Sequence, residues 1–292
     1  MFRLAYSDIR LLRIFHQVVI GRSFAAASTA LGVSEAVVSR AMSDLEARTG
    51  MMLCQRGRGG FVLEADGEFV MKATQRLLSE MDLFSESIGT YRQGMAGELR
   101  LAITESTLSD RNNRISEYIT RYKLRAPNVR IELSVLPPSG VQSHVLNGLA
   151  HIGFLPTHRR VVDLTYQELH EEKMSLYCSP GHPLFETDCS REDIFSAEVA
   201  APDYLLNGQL GLHADTLRIV NSTNSIEGIA MLVMTGSYLG FLPDHFASKW
   251  LEQGQLRELL PEVFSYHIRF CAISRSDRKD SKLVHSFLRE LG

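Results

Sequence analysis

The chain has 292 residues, 45% hydrophobic and 22% charged, which excludes a disordered polyelectrolyte and gives enough apolar material for about two domain cores. Its net charge of −3 excludes a uniformly basic nucleic-acid coat, so any affinity for DNA must be local. No apolar run approaches the ~18 residues of a membrane span, Arg3, Asp8, Arg10 and Arg13 break up the one stretch resembling a signal sequence, and the dispersed cysteines Cys54, Cys178, Cys189 and Cys271 form no CxxC; a cytoplasmic protein without disulfide framework or zinc finger is expected.

The basic end is the amino end, where residues 1–66 balance at +2 against −5 for the remainder. Short helices are expected there: Ile9 to Ile20 capped by Asp8, Phe24 to Leu31 capped by Ser23, and a third from Ser34 to about Thr49, stopped by Gly50. The stretch from Ser23 to Arg40 is rich in alanine and serine, so two helices can cross closely. Gly32 permits a left-handed turn between them. Val38 and Leu45 face inward, which leaves Glu35, Ala36, Ser39 and Arg40 on the outer face at the helix start, the part that enters a major groove in helix-turn-helix proteins. Arg40 can chelate guanine, Ser39 can reach a base or phosphate, and Ala36 can touch a thymine methyl. A plain helical hairpin with solvated Ser and Arg is the alternative. Phe61 to Leu63, beside the glycine-rich run Arg56 to Gly60, then reads as a two-stranded wing.

From Asp66 to Met95 there is no proline, and Val70, Thr74, Leu77, Met81, Phe84, Ile88, Tyr91 and Met95 recur at alternating steps of four and three. Such a seam calls for a partner helix, hence a dimer. One helix packed on its own chain would show a similar stripe.

Beyond Gly97 strands alternate with helices: a strand Leu99 to Thr104, a helix Asp110 to Arg125, a strand Val129 to Leu136, a helix Val141 to Leu149 and a strand His151 to Leu155. This βαβαβ order calls for a parallel sheet with right-handed crossovers. A second series follows, with strands Leu164 to Leu169, Met174 to Cys178, Glu198 to Ala201, Leu217 to Asn221 and Tyr238 to Leu242, the helix Ser225 to Met234, the strand Tyr266 to Ile273 and a closing helix Ser281 to Leu291. Two α/β lobes with a ligand cleft between them are expected.

For that cleft, Thr104, Glu105, Ser106 and Thr107 end the first strand just before a helix, offering hydroxyls and free N–H groups to a carboxylate or other small anion. Glu105 favours an amine or a zwitterion if it faces inward. Ser139, beside Pro138, is the nearer polar group of the next loop. Tyr204 and Thr223-Asn224-Ser225 form the opposing wall, with Phe154 at the crossover and Phe241 as apolar lining. Each of these can equally be capping or core packing. His144, His151 and His158 recur every seven residues but fall on a helix, a strand and a loop, so they make no metal row. Cys178 and Cys189 invite a redox reading, which a buried strand position for Cys178 disfavours. There is no nucleophile triad, P-loop or GxGxxG, so no catalytic residue, metal or cofactor is expected.

On the signature from Phe24 to Arg40, with Asp44-Leu45-Glu46 and Leu53 to Arg56 behind it, the sequence resembles the LysR-type transcriptional regulators. Gly153-Phe154, His182-Pro183-Leu184 and Gly240-Phe241-Leu242-Pro243 follow in matching order, so the resemblance covers essentially the whole chain. It implies an α/β fold preceded by an all-α winged helix-turn-helix over residues 1–66, a dimerising linker helix over 67–96, and a two-lobed effector region over 97–292 like the periplasmic binding proteins. Lobe I would span about 97–161 and 264–292, lobe II about 162–263. By resemblance, Glu35, Ala36, Ser39 and Arg40 contact bases, Arg56 meets the DNA backbone or minor groove, Ser23, Ser34 and Arg58 complete the DNA-facing set, and Ser106 holds a ligand by its hydroxyl. Glu35 and Ala41 replace the family's common glutamines, and His151 a common aspartate. At position 35 a carboxylate either selects cytosine N4 or adenine N6 or merely complements the helix start.

The expected function is therefore a sequence-specific regulator that binds an interrupted dyad of double-stranded DNA as a homodimer or homotetramer and responds to a small organic acid or zwitterion. The alternative is a small-molecule-binding or enzymatic α/β protein whose amino-terminal helices serve only assembly.

Overall fold

The computed structural model describes residues 3–57, 60–93, 95–157, 159–203, 216–278 and 281–292. Its contacts divide the chain into two compact units, residues 1–88 and 89–292.

The first unit contains α1 (Tyr6–Gly21), α2 (Phe24–Leu31), α3 (Glu35–Thr49), the strands β1 (Cys54–Gly57) and β2 (Gly60–Leu63), and the start of α4 (Ala65–Gln93). Helix α1 begins earlier than the sequence suggests: Asp8 is its third residue, not its cap, and its carboxylate turns back to accept the Ala5 N–H at 2.7 Å. Ser23 does cap α2, its Oγ accepting the Ala26 N–H at 3.3 Å, and Gly32 ends that helix at φ 64°, a conformation glycine adopts without steric cost. Ser34 stands at the N-cap of α3 but contributes no side-chain cap bond. The wing forms as expected, β1 and β2 pairing antiparallel with Cys54 opposite Leu63.

Phe15, Val18, Val38, Leu45 and Leu53 are fully buried in this unit, each contributing about 1.5–3 kcal/mol of burial energy. Two polar ties fix the helices around them. Arg48 on α3 donates to Asp8 on α1 at 2.8 Å, and Glu46 accepts the Leu53 N–H at 2.9 Å, joining α3 to the wing.

The seam along α4 divides along its length. Val70 and Thr74 are buried and Leu77 packs on the first unit's own core, so the near end of the stripe is used within the chain and is not available to a partner helix. Phe84 and Ile88 are exposed at 69% and 49%. Helix α4 ends at Gln93, which leaves Met95 past the helix, against the core of the second unit. The side chain of Tyr91 lies outside the described residues.

The second unit is built on one sheet. Its elements in chain order are β3 (Gly97–Ile103), a 3-10 turn (Thr107–Ser109), α5 (Ile115–Arg125), β4 (Val129–Val135), α6 (Pro138–Leu146), β5 (Ile152–Thr157), β6 (Leu164–Cys178), α7 (Arg191–Ser196), β7 (Glu198–Pro202), β8 (Arg218–Thr223), α8 (Ile226–Met234), β9 (Leu239–Pro243), α9 (Asp244–Glu252), β10 (Arg257–Glu258), β11 (Ser265–Arg275) and α10 (Lys282–Leu288). Strands run in the order β4-β3-β5-β11-β6-β9-β7-β8, with β10 also pairing β6. The β4-β3-β5 and β8-β7-β9 groups are parallel, as the βαβ pattern requires, while the antiparallel pair β6 and β11 joins the two lobes.

Some expected boundaries are corrected. The helix expected from Asp110 begins only at Ile115, because Asp110 accepts the Asn112 N–H at 2.8 Å and Asn113 accepts the Ile115 N–H at 2.9 Å. Such local bonds hold the chain in turns. The helix expected from Val141 starts at Pro138, whose missing N–H suits a first turn. The strands expected at 164–169 and 174–178 are one strand, β6, its polar middle Glu171-Glu172-Lys173 paired with β11. Helices α7 and α9 were not expected.

Candidate functional site

Two surfaces carry the chemistry, one in each unit. On the first, the turn after α2 presents the start of α3 with Ser34, Glu35, Ala36 and Arg40 exposed, Ser39 half-buried and Val38 buried beneath them. Among the described residues no ion pair ties Arg40, so its guanidinium is available to a planar acceptor pair such as guanine O6 and N7. Ser7, Arg10, Ala36, Arg40 and Asp44 line one groove between α1 and α3, so Arg10 brings a second positive charge beside Arg40. Position in sequence did not single out Arg10; its contribution comes from α1 lying alongside α3. Ser23 has its hydroxyl engaged in the cap. Arg58, and the side chain of Arg56, lie outside the described residues. Behind this face the Ala5 N–H, with the Arg48 guanidinium beside it, holds the Asp8 carboxyl below its usual value.

The second surface is a small cavity of about 20 Å³ between the two lobes of the second unit, room for about one water. Thr104, Glu105, Ser106 and Pro138 line it from lobe I, and Asn224, Ile226, Pro243 and His245 from lobe II. Pro156, Glu172, Met174, Tyr266 and Ile268 complete it from β5, β6 and β11. The sequence placed Thr104, Glu105, Ser106 and Asn224 at the cleft, and these do come together. Thr107 instead turns its hydroxyl to the Thr104 carbonyl, Ser139 is not in the wall, and Ser225 caps α8 by accepting the Gly228 N–H at 3.2 Å. Thr223 packs where Gly228 has no side chain. Phe154 and Phe241 are corrections: both are buried in lobe cores, Phe154 edge-on to Phe287, because β5 and β9 point them away from the cleft. Tyr204 lies outside the described residues.

Polar links cross the cleft. Glu105 on lobe I accepts the Ile226 N–H at 2.6 Å, placing a carboxylate at the amino end of α8 on lobe II, where free N–H groups and the helix dipole favour negative charge. Ser109 on lobe I meets Nδ1 of His245 on lobe II at 2.9 Å, and Nε2 of the same ring lies 3.0 Å from Glu172. Ser109 Oγ also lies 2.7 Å from the Ser106 carbonyl, so the His245 ring bridges a lobe I turn and the β6 carboxylate through its two nitrogens.

Asp110, Glu172 and His245 offer metal-ligating atoms within 4.8 Å of one another. The same atoms are already paired: Asp110 with His170 at 2.5 Å and with Asn112, Glu172 with His245. A cation would have to break those pairs. His151 accepts the Arg100 N–H on its Nδ1 at 3.2 Å, an acceptor role that an aspartate would also serve. His158 lies outside the described residues. Burial pushes the Cys178 thiol up to about 11, away from thiolate chemistry.

Residues 9–68 match the family of bacterial regulatory helix-turn-helix proteins of the lysR type, and residues 92–292 match the LysR substrate binding domain. The chain belongs to the LysR family of transcriptional regulators. It is 38% identical over 284 residues to the HTH-type transcriptional activator BauR of Pseudomonas aeruginosa, covering 96% of this chain and 93% of that protein. It shares its fold with crystal structures of the LysR-family regulator CbnR (TM-score 0.60, 19% identity, 97% of each chain) and of an AphB variant (TM-score 0.63, 19% identity, 99% of this chain and 98% of that one). The regulator thus couples a DNA-binding head to an effector-binding region. No helix among the described residues is long and apolar enough to cross a membrane.

Proposed function

We propose that the regulator reads an interrupted dyad as a homodimer or homotetramer, inserting the start of α3 into successive major grooves, and that a small molecule in the cleft between the lobes changes the spacing of the heads. The carrying observation is the exposed row Ser34, Glu35, Ala36 and Arg40 on a buried footing of Val38 and Leu45. A CbnR structure with its target DNA supports the reading. Residues 1–66 serve as the head, 67–96 as the dimerising helix, whose exposed Phe84 and Ile88 suit a partner copy, and 97–292 as the two lobes. The protein acts in the cytoplasm by binding, not by catalysis, and needs no cofactor.

The effector can act only through different affinities for two arrangements of the oligomer. Binding-site selection from random DNA with the full-length protein tests the reading: a two-fold symmetric motif with a spacer is expected, and enrichment of no motif at moderate salt refutes it.

A further inference from the structure

Resting on the reading of the second unit as an effector domain, we propose that its cleft takes a small zwitterionic aminocarboxylic acid. The ligand carboxylate replaces that of Glu105 at the start of α8, and its ammonium group pairs with the released Glu105.

Three observations converge. The helix end already holds a carboxylate, Glu105 accepting the Ile226 N–H across the cleft at 2.6 Å, so the protein itself shows which group that end accepts. Beside it Ser106, another residue of the cavity wall, takes φ 64°; its Oγ is shielded from solvent and has no hydrogen-bond partner among the described residues. A buried hydroxyl without a partner is costly, and a ligand oxygen seated at α8 would supply one. Finally, among the described residues the cavity wall carries Glu105, Glu172 and His245 but neither Lys nor Arg.

Charge then selects the ligand. Among the described residues the wall presents the Glu105 carboxylate and no guanidinium or ammonium group. A zwitterion exchanges one carboxylate for another at the helix and gives Glu105 a cation, leaving the balance unchanged. A dicarboxylate would bring two negative charges to a wall without a guanidinium or ammonium group, and a plain amine would leave the vacated Ile226 N–H unmet. A cavity of about 20 Å³ has no room for such a ligand while Glu105 stays in place. Because Glu105 links the lobes, its exchange releases a polar tie across the cleft, which connects occupancy to lobe arrangement.

Calorimetric titration of the full-length protein with glycine, alanine, β-alanine and γ-aminobutyrate, set against propanoate, succinate and propylamine, tests this. At least one amino acid is expected to bind about tenfold or more tighter than every probe lacking one of its charges. Glu105→Ala is expected to weaken that binding about tenfold or more while strengthening propanoate binding, because the free helix end then accepts any carboxylate. Glu105→Gln, which keeps the side-chain volume, should show the same loss. Cooperative melting checks that each variant is folded, and if the alanine variant fails, the glutamine variant and the ranking on unmodified protein decide. Tightest binding by succinate or propylamine, amino-acid affinity unchanged in the folded variants, or no response to any of these compounds overturns the proposal. A protein that selects DNA yet ignores all of them overturns this inference alone and leaves the regulator reading intact.

Discussion

The start of α3 and the interlobe cleft solve opposite problems. On α3 the working side chains lie within seven residues of one another and are mostly exposed, and their support is apolar, with Val38 and Leu45 beneath them. In the cleft they come from the turn after β3 and from β6, β11, α8 and α9, are largely buried, and are satisfied by one another through Glu105, Ser109, His245 and Glu172. Side chains of the first kind can change without cost to the fold, because water replaces what they lose. Those of the second kind cannot, because a removed partner leaves a buried charge or dipole unmet. Recognition of DNA and recognition of a metabolite are thus under different physical constraints within one chain.

The largest expected effect breaks the buried side of this comparison. Glu172→Ala leaves the Nε2 of His245 without its partner at 3.0 Å, and is expected to destabilise the second unit by about 1–3 kcal/mol, read as a lowered denaturant midpoint. A change within about 0.5 kcal/mol would show that water already satisfies the pair.

Next comes a steric test in the first unit. Gly67, in the first turn of α4, lies so close to the wing that a Cβ would meet the Leu53 carbonyl at 2.0 Å. Gly67→Ala should cost about 1–3 kcal/mol and loosen the wing, checked by amide exchange across β1 and β2.

A smaller effect is set by pH. Asp8 has its folded value lowered from about 3.8, chiefly by the Ala5 N–H. A depressed carboxylate stabilises the fold fully above its unfolded value and loses that contribution as pH falls through the folded value. The melting difference between wild type and Asp8→Asn should therefore be constant from pH 7 to about pH 5 and shrink below about pH 4. A difference independent of pH would remove the carboxylate from the account.

The smallest effect on stability sharpens the exposed side. Arg40→Ala and Glu35→Gln should each change stability by less than about 0.5 kcal/mol. Glu35→Gln should also tighten non-specific DNA binding, since a carboxylate near phosphates is lost; unchanged affinity and base preference would point Glu35 away from the groove.

The same contrast explains what could be read from residues alone. Helices α1 to α3 and the wing were legible because their signals are local: Ser23, Gly32 and Gly50 punctuate helices whose apolar spacing is short-ranged. Cleft residues were legible only where a strand end meets a helix start, as at Thr104 to Ser106 and Asn224. Glu172, Tyr266 and Ile268 were missed because the β6 and β11 register brings them in, and no spacing in the chain encodes that register. Pro243 and His245 left a signal that was not used: they follow a strand end, where ligands of such sheets sit. Phe154 and Phe241 misled for a related reason, since an apolar strand residue can face either side of a covered sheet.

The central claim is that the outer face of α3 reads base sequence, and Arg40 tests it most directly. Fluorescence anisotropy of the full-length protein on its selected DNA and on a scrambled duplex, for wild type and Arg40→Ala at matched salt, measures the discrimination. The account predicts that the variant, with an unchanged melting curve, loses about 1–3 kcal/mol of preference for the selected site per half-site while its affinity for the scrambled duplex falls far less. Equal discrimination by the two proteins would contradict it.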